Sequence, residues 1–177
     1  QPVNIAALEP RIGGANLPPP SPDSFPGGSR MPPIRLFILR AMLLTGTTPA
    51  MDTFHDIGVA IDTLRRFDAT RDDEIYLYGR GDSGIAALYR AILDDRVKGV
   101  IVEDAPASHR DGAPLIGILR AFDLQHAFGL IAPRRIALIT PGHKRCLWSE
   151  RLYERLGCPG NHLQAADLRQ ALSFMLQ

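Results

Sequence analysis

The residues with the clearest chemical potential lie in a glycine-rich turn, Gly79–Gly84 (GRGDSG), between a predicted strand and an alanine-rich predicted helix. Such a turn is typical of a nucleophile elbow, in which the residue at the tip attacks an acyl carbon and the residues two before and two after it must be small. Gly79 and Ser83 meet that requirement when Gly81 is the tip. The backbone N–H of Asp82 would then be the first donor to a developing oxyanion, at the start of the helix.

The residue at the tip decides whether this turn can be catalytic. Gly81 has no side chain and therefore cannot attack a carbonyl carbon. A shifted register would make Asp82 or Ser83 the nucleophile, but it would place Arg80 or Ile85 at a position that must be small. We therefore expect Gly81 to stand at a vacant nucleophile position, with Ser83 as the only hydroxyl within the turn.

The same turn also matches the G-x-G-x-x-G pattern of dinucleotide-binding folds. An acidic residue is expected about twenty positions further on, and Glu103 or Asp104 would fill that place. The side chains of Arg80 and Asp82 would crowd a bound pyrophosphate, so nucleotide binding is the weaker hypothesis.

The elements around the turn alternate between strands and helices, which predicts an α/β fold: an open, mostly parallel sheet with flanking helices, in one domain over residues 1–177. Residues 10–33 hold eight prolines and four glycines, so we expect a loop there. Residues 105–133 are expected to form a helical excursion, with helices near 115–122 and 124–131. The predicted strands are Val3–Leu8, Glu74–Tyr78, Val97–Val102 and Arg135–Thr140, and the predicted helices are Ile34–Gly46, 48–66, Ile85–Leu93, Leu147–Leu156 and Gln164–Leu176.

Composition excludes several classes of protein. The 177 residues include 20 basic and 19 acidic side chains, a net charge of +1, which gives no electrostatic reason to expect nucleic acid or a membrane surface as partner. The two cysteines, Cys146 and Cys158, are too few for a zinc site of the four-cysteine type or for a disulfide framework. Charges interrupt the longest apolar run, so no transmembrane helix is predicted. We see no leader peptide, and a mature exported form would fit the sequence equally well.

Four segments in order carry a family resemblance. One feature is a strand with an Asp-x-Arg-Gly-x-Gly turn, which Val3–Gly13 resembles, and a second is the nucleophile strand with its elbow, which Glu74–Gly84 resembles. A third is an Asp-x-Arg-Val-Lys-Ala-Val crossover, which Asp94–Val100 resembles. The fourth is an Ile-Ala-Pro-Arg-Pro lead into a strand, which Ile131–Ile136 resembles. Together they resemble the α/β-hydrolase superfamily, in its acetyl xylan esterase and prolyl-oligopeptidase-like branch, from the fourth strand of that fold to the last helix.

The resemblance implies ester hydrolysis by a serine, a histidine base and an acid. His162, just before the last predicted helix, stands where the base would be, although a histidine at a helix entry is also ordinary. The loop after the seventh strand, residues 140–145, holds His143 but no carboxylate. Glu103 and Asp104, at the end of the sixth strand, are therefore the candidates for the acid, with a solvated strand end as the plain alternative.

The resemblance also implies missing pieces. In that fold the third strand lies between the fourth and fifth, and the interval 158–161 is too short for an eighth strand. We therefore expect a hydrolase-type domain related to carboxylic and carbohydrate ester hydrolases, with impaired or lost catalysis, or else a non-catalytic relative that binds a ligand or a partner. If the chain is an enzyme, its substrate would be an acyl or carbohydrate ester. No cofactor or metal is implied, and the open sheet edge is expected to receive a protein partner or a second copy.

Overall fold

Four parallel strands lie side by side in the order in which they occur along the chain, β1-β2-β3-β4. The computed structural model describes residues 3–9, 34–112, 115–140 and 146–177. The strands are β1 (Ile75–Arg80), β2 (Val97–Glu103), β3 (Arg135–Ile139) and β4 (His162–Gln164). The helices are α1 (Ile34–Leu44), α2 (Pro49–Leu64), α3 (Asp82–Leu93), α4 (Leu124–Ala127), α5 (Leu147–Arg155) and α6 (Leu168–Met175), with 3₁₀ turns at Ile118–Arg120 and Pro159–Asn161.

Local sequence signals set where the helices begin. The hydroxyl of Thr48 accepts a hydrogen bond from the backbone N–H of Met51, and Pro49 follows at the first helical position of α2. At α6 the carboxylate of Asp167 accepts from the N–H of Gln170. In both cases the side chain satisfies a backbone donor that the helix itself cannot pair.

The sheet is covered on both faces, but unequally. On one face α2, α3, α4 and α5 enclose the larger core, in which Leu88, Val100 and Tyr153 are fully buried. On the other face α6 covers β2 and β3, where Ile101 and Met175 are buried. Strands buried on both faces explain the nearly continuous apolar sequence of β2.

The fold class predicted from the sequence is confirmed: the sheet is parallel and helices flank it. The predicted strand Val3–Leu8 is wrong, because residues 3–9 have no regular structure and are exposed, Ile5 to 91%. An apolar run becomes a strand only when a neighbour pairs with its backbone. The prediction of no strand after α5 is also wrong, because β4 forms from residues that we expected to lie in the entry to the last helix.

Two other expectations have mixed outcomes. The excursion at 105–133 holds only one 3₁₀ turn and the short α4 among its described residues, since most of it is turns. The expected loop at 10–33 lies outside the described residues, and the single-domain assignment stays a prediction. None of the helices within the described ranges is both long and apolar enough to cross a bilayer, and the longest, α2, has 16 residues.

Candidate functional site

A single residue joins β1 to α3. Gly81 adopts φ 57° and ψ −130°, so the chain turns sharply from strand to helix at this position. Its N–H still donates to the carbonyl of Glu103 on β2, at 2.8 Å. Such a backbone conformation costs a residue with a Cβ about 1–3 kcal/mol in conformational free energy, so glycine is favoured at this position. The geometry is that of a sharp strand-to-helix elbow with Gly81 at its tip.

Close backbone packing holds the elbow together. A Cβ on Gly79 would lie 2.7 Å from the backbone of Gly84 and from the carbonyl of Ser83, and a Cβ on Gly84 would lie 2.7 Å from the carbonyl of Gly79. The steric restriction therefore falls on Gly79 and Gly84, whereas the side chain of Ser83, expected to be the small flank, is exposed. A Cβ on Gly81 would meet no atom within 4 Å, so the tip is open.

Both Asp82 and Ser83 lie in the first turn of α3, and both are exposed. The carboxylate of Asp82 lies against the start of the excursion, because a Cβ on Gly112 would be 2.7 Å from Asp82 Oδ1. The first N–H groups of a helix have no intrahelical partner, so the helix itself leaves the Asp82 N–H unpaired, as the oxyanion hypothesis requires. The neighbouring carboxylate opposes a bound anion there.

The two candidate acids lie at the end of β2 beside the elbow, and both carboxylates already accept hydrogen bonds. Asp104 accepts from Arg80 Nε at 2.7 Å and lies 2.5 Å from Arg80 Nη2. Glu103 accepts from the hydroxyl of Tyr78 at 2.5 Å. The hydrogen bond to Asp104 raises the pKa of Arg80, and the bond to Glu103, together with burial, raises the pKa of Tyr78. These four side chains, Tyr78, Arg80, Glu103 and Asp104, form the edge cluster.

Backbone geometry fixes the position of the edge cluster. Asp104 has a positive φ of 51°, and its N–H donates to the carbonyl of Ile139 at 2.9 Å. Because parallel strands end at the same edge, the ends of β1, β2 and β3 meet there. Sequence reasoning found the two carboxylates but missed Tyr78 and Arg80. The spacing of Tyr78 and Arg80 could have indicated that they lie together, because alternate residues of a strand lie on one face of the sheet.

His162 is placed elsewhere. It begins β4 opposite Ile136, and its Nε2 lies 2.9 Å from Ser149 Oγ on α5. Burial lowers the pKa of His162. The Ser149 hydroxyl is fully buried and also lies 3.0 Å from the carbonyl of Cys146. A hydroxyl has one proton, and donating it to that carbonyl leaves the oxygen to accept from His162.

Two strands, β2 and β3, lie between His162 on β4 and the elbow after β1. Three inter-strand steps of about 4.8 Å put β4 about 14 Å from β1. His162 is also set back from the edge where the strands end, because its partner Ile136 comes three residues before Ile139, the last residue of β3. No hydrogen bond joins Ser83 to His162 within the described part of the chain. A displaced nucleophile at Ser83 would need a hydrogen bond of this kind to its base.

Two of the three other described histidines have local partners, and His55 on α2 is exposed. His109 is buried, and its Nε2 lies 2.8 Å from the hydroxyl of Tyr89. His126 packs edge-on against Trp148. His143 lies outside the described residues. Across residues 3–9, 34–112, 115–140 and 146–177, no group of three or more histidine, cysteine, aspartate or glutamate side chains could hold a metal ion.

Asp123 organises the excursion beside the site. Its carboxylate accepts from the Ser108 hydroxyl at 2.6 Å and from the N–H groups of His109 and Leu124 at 2.9 and 2.7 Å. These bonds lower the pKa of Asp123 to about 2, and the bond from Ser108 has the largest effect. Sequence analysis missed this residue. An aspartate before a helix is a capping signal, but the link to Ser108 requires the fold.

No family model and no curated protein matches the chain. A solved structure from Bacteroides fragilis, described as a "putative acetyl xylan esterase", is similar over 76% of this chain and 40% of that one, with a TM-score of 0.62. The chain has an esterase-like α/β fold. Because the sequence identity is 18%, this similarity shows the fold alone. The matched part spans less than half of the neighbour. The predicted resemblance to α/β-hydrolases is thereby confirmed at the level of fold.

Proposed function

We propose that the chain is a non-hydrolysing relative of the carboxylic ester hydrolases, which keeps the nucleophile elbow without the nucleophile. The conformation of Gly81 carries the proposal. At φ 57° and ψ −130°, between β1 and α3, it stands at the tip of the elbow, where the attacking atom would be needed. The esterase-like fold of the neighbour supports this reading of the elbow.

Acyl transfer needs a nucleophilic oxygen or sulfur and a base within hydrogen-bond reach of it. Among the described residues, the elbow does not bring the two together. Gly81 has no side chain, and the hydroxyl of Ser83 lies in the first turn of α3. His162 is bonded to Ser149 and lies on β4, at the other end of the sheet. The candidate acids Glu103 and Asp104 are bonded to Tyr78 and Arg80.

The Ser149–His162 pair does not replace the missing catalytic group. Its distance of 2.9 Å suits a serine and its base, but the serine side chain is fully buried. A substrate carbonyl cannot reach that oxygen without opening the packing between α5 and β4. We therefore assign the pair a structural role.

Hydrolysis of p-nitrophenyl acetate tests the proposal in the wild-type chain beside Ser83→Ala, His162→Ala and Gly81→Ser. We expect the wild-type rate to equal that of Ser83→Ala and of His162→Ala. Turnover gained in Gly81→Ser would locate the missing group at the tip, where a Cβ has room. Saturable hydrolysis by the wild type that both Ser83→Ala and His162→Ala abolish would contradict the proposal and make the chain an esterase with a displaced nucleophile.

The neighbour's description supplies the class of ligand to try first, an acetylated xylan. Isothermal titration calorimetry with acetylated and deacetylated xylo-oligosaccharides separates a binding role from loss of all function. Binding of the acetylated form, weakened by Arg80→Ala, would support a carbohydrate-ester binding domain. Equal binding of both forms would place the contacts away from the acetyl group.

A further inference from the structure

The single tryptophan of the chain, Trp148, lies in the first turn of α5 and is 42% exposed. Tryptophan is highly buried on average, because the indole is large and mostly apolar, so this side chain leaves a large apolar area in contact with water. α5 follows β3, and its first turn therefore lies at the edge of the sheet where the strands end, which is also the edge of the elbow.

Packing against the segment after α4 holds the indole in place. A Cβ on Gly129 would lie 2.5 Å from Trp148 Cζ3 and 2.7 Å from a methyl of Leu152, so both side chains lie against the backbone of this buried glycine. Because Gly129 has no side chain, the six-membered ring of the indole can approach that closely. An indole that is already fixed by packing loses little conformational entropy when it binds a ligand.

Hydrogen-bonding side chains flank the exposed indole. His126 on α4 is exposed, and the ring centroids of His126 and Trp148 are 4.8 Å apart at an interplanar angle of 70°. Arg151 is also exposed and lies three residues after Trp148 on α5, hence on the same side of the helix. A neutral imidazole carries a donor and an acceptor, and a guanidinium carries five donors. These three side chains, Trp148, His126 and Arg151, form the tryptophan platform.

An apolar ring with polar groups around it is complementary to a sugar. A pyranose has C–H groups on its face and hydroxyls around its rim, so its face can stack on an indole while its hydroxyls bond to neighbouring side chains. β-Xylopyranose suits this arrangement, because its hydroxyls are equatorial and it has no hydroxymethyl group. A protein surface that covered the same indole would also bury the imidazole and the guanidinium, and would have to pair both.

We propose that the tryptophan platform is a subsite for the polysaccharide part of a xylan ligand, with one xylose ring stacked on Trp148. This inference rests on the proposed carbohydrate-ester ligand. The carboxyl ends of β1 and β3 are two inter-strand steps apart, about 10 Å, a distance that a short oligosaccharide spans. The stacking contact involves the sugar ring and not its acetyl group, so we expect xylo-oligosaccharides to bind with or without acetylation.

Intrinsic fluorescence reports on this site alone, because Trp148 is the only tryptophan. Titration with deacetylated xylo-oligosaccharides should shift the emission to shorter wavelength and reduce quenching by acrylamide, and the acetylated form should do the same. The dissociation constant from emission should equal that from isothermal titration calorimetry. N-acetyltryptophanamide, titrated in parallel, controls for effects of the sugar on the fluorophore itself.

Substitutions test the two parts of the platform. Trp148→Ala should weaken xylo-oligosaccharide binding at least about tenfold, about 1.4 kcal/mol, measured by calorimetry. Phe67→Ala removes another exposed aromatic side chain and should leave the affinity unchanged. If Trp148→Ala fails to fold by circular dichroism, His126→Ala decides the question. It keeps the fluorophore, and the lost hydrogen bond should weaken binding about threefold or more.

Several results would overturn the proposal. Calorimetric binding with no change in emission would place the sugar elsewhere on the molecule, and no binding of either form would remove the site. Emission that shifts with protein concentration alone would assign Trp148 to a contact between two copies of the chain. Ester hydrolysis by the wild type would contradict the proposed loss of catalysis and leave this site standing, so the two failures are distinguishable.

Discussion

Two regions of this molecule each hold half of what a serine hydrolase needs. At the elbow the backbone turns from strand to helix around an open tip, but Gly81 offers no atom that could attack. At the start of β4 a serine and a histidine lie 2.9 Å apart, but the serine is fully buried. The comparison teaches that catalytic geometry and a catalytic pair are separable: a serine–histidine distance carries a function only where substrate can reach the serine.

The largest expected effect comes from breaking the shape of the elbow. In Gly84→Ala the new Cβ would lie 2.7 Å from the carbonyl of Gly79 and 3.0 Å from a methyl of Val102. Overpacking against backbone should lower the free energy of unfolding by about 3 kcal/mol, measured by urea denaturation. Gly160→Ala is the matched control, because its Cβ meets nothing within 4 Å. Equal stability of the two variants would mean that the elbow is not held by this contact.

The second prediction concerns the other region. Ser149→Ala removes a buried hydroxyl that bridges the Cys146 carbonyl and His162 Nε2. Leaving these groups unsatisfied should cost about 2 kcal/mol in the free energy of unfolding, with no change in hydrolysis of p-nitrophenyl acetate. Ser173→Ala, at an exposed position of α6, should change stability little. A loss of esterase activity in Ser149→Ala alone would make the pair catalytic.

A smaller effect is expected at the tip. Gly81→Ala introduces a Cβ into open space, so only the positive φ opposes it. We expect a loss of about 1 kcal/mol in the free energy of unfolding, well below that of Gly84→Ala. A loss as large as that of Gly84→Ala would show that the tip is packed and that the elbow has no room for a substrate.

The smallest expected effect is a pH dependence from His162. Burial lowers its pKa below the ordinary 6.5, so the unfolded chain binds a proton more readily than the folded one. The contribution of neutral His162 is therefore complete above pH about 6.5 and declines as the pH falls through that value toward the lower folded pKa. Thermal unfolding of wild type and His162→Gln across this range should show a difference that shrinks on acidification. A difference that grows on acidification would reverse the assigned sign.

How far the sequence specifies the fold depends on the length of each element. β2 and β3 are apolar runs flanked by turns, and such runs identify a buried strand without tertiary information. β4 has only three residues, and pairing with β3 rather than its own pattern makes it a strand. Val3–Leu8 shows the converse, an apolar run that is not a strand because no described strand pairs with it.

The site was predictable to the extent that it depends on the backbone. The glycine spacing identifies the elbow and Gly81 as its tip, and the strand ends place Glu103 and Asp104 beside it. The position of His162 could not be predicted, because it depends on whether the residues before the last helix form a loop or a strand. The edge cluster needs the pairing of β1 with β2, which brings Tyr78 and Arg80 to the two carboxylates.

Labelling with a fluorophosphonate tests most directly the central claim that no serine of this fold is an activated nucleophile. The wild-type chain is incubated with the reagent, digested, and its serines are mapped by mass spectrometry, with a heat-denatured sample as the background. We expect no adduct above background at Ser83 or Ser149. A stoichiometric adduct at either serine in the folded chain, absent after denaturation, would contradict the account and identify a working catalytic centre.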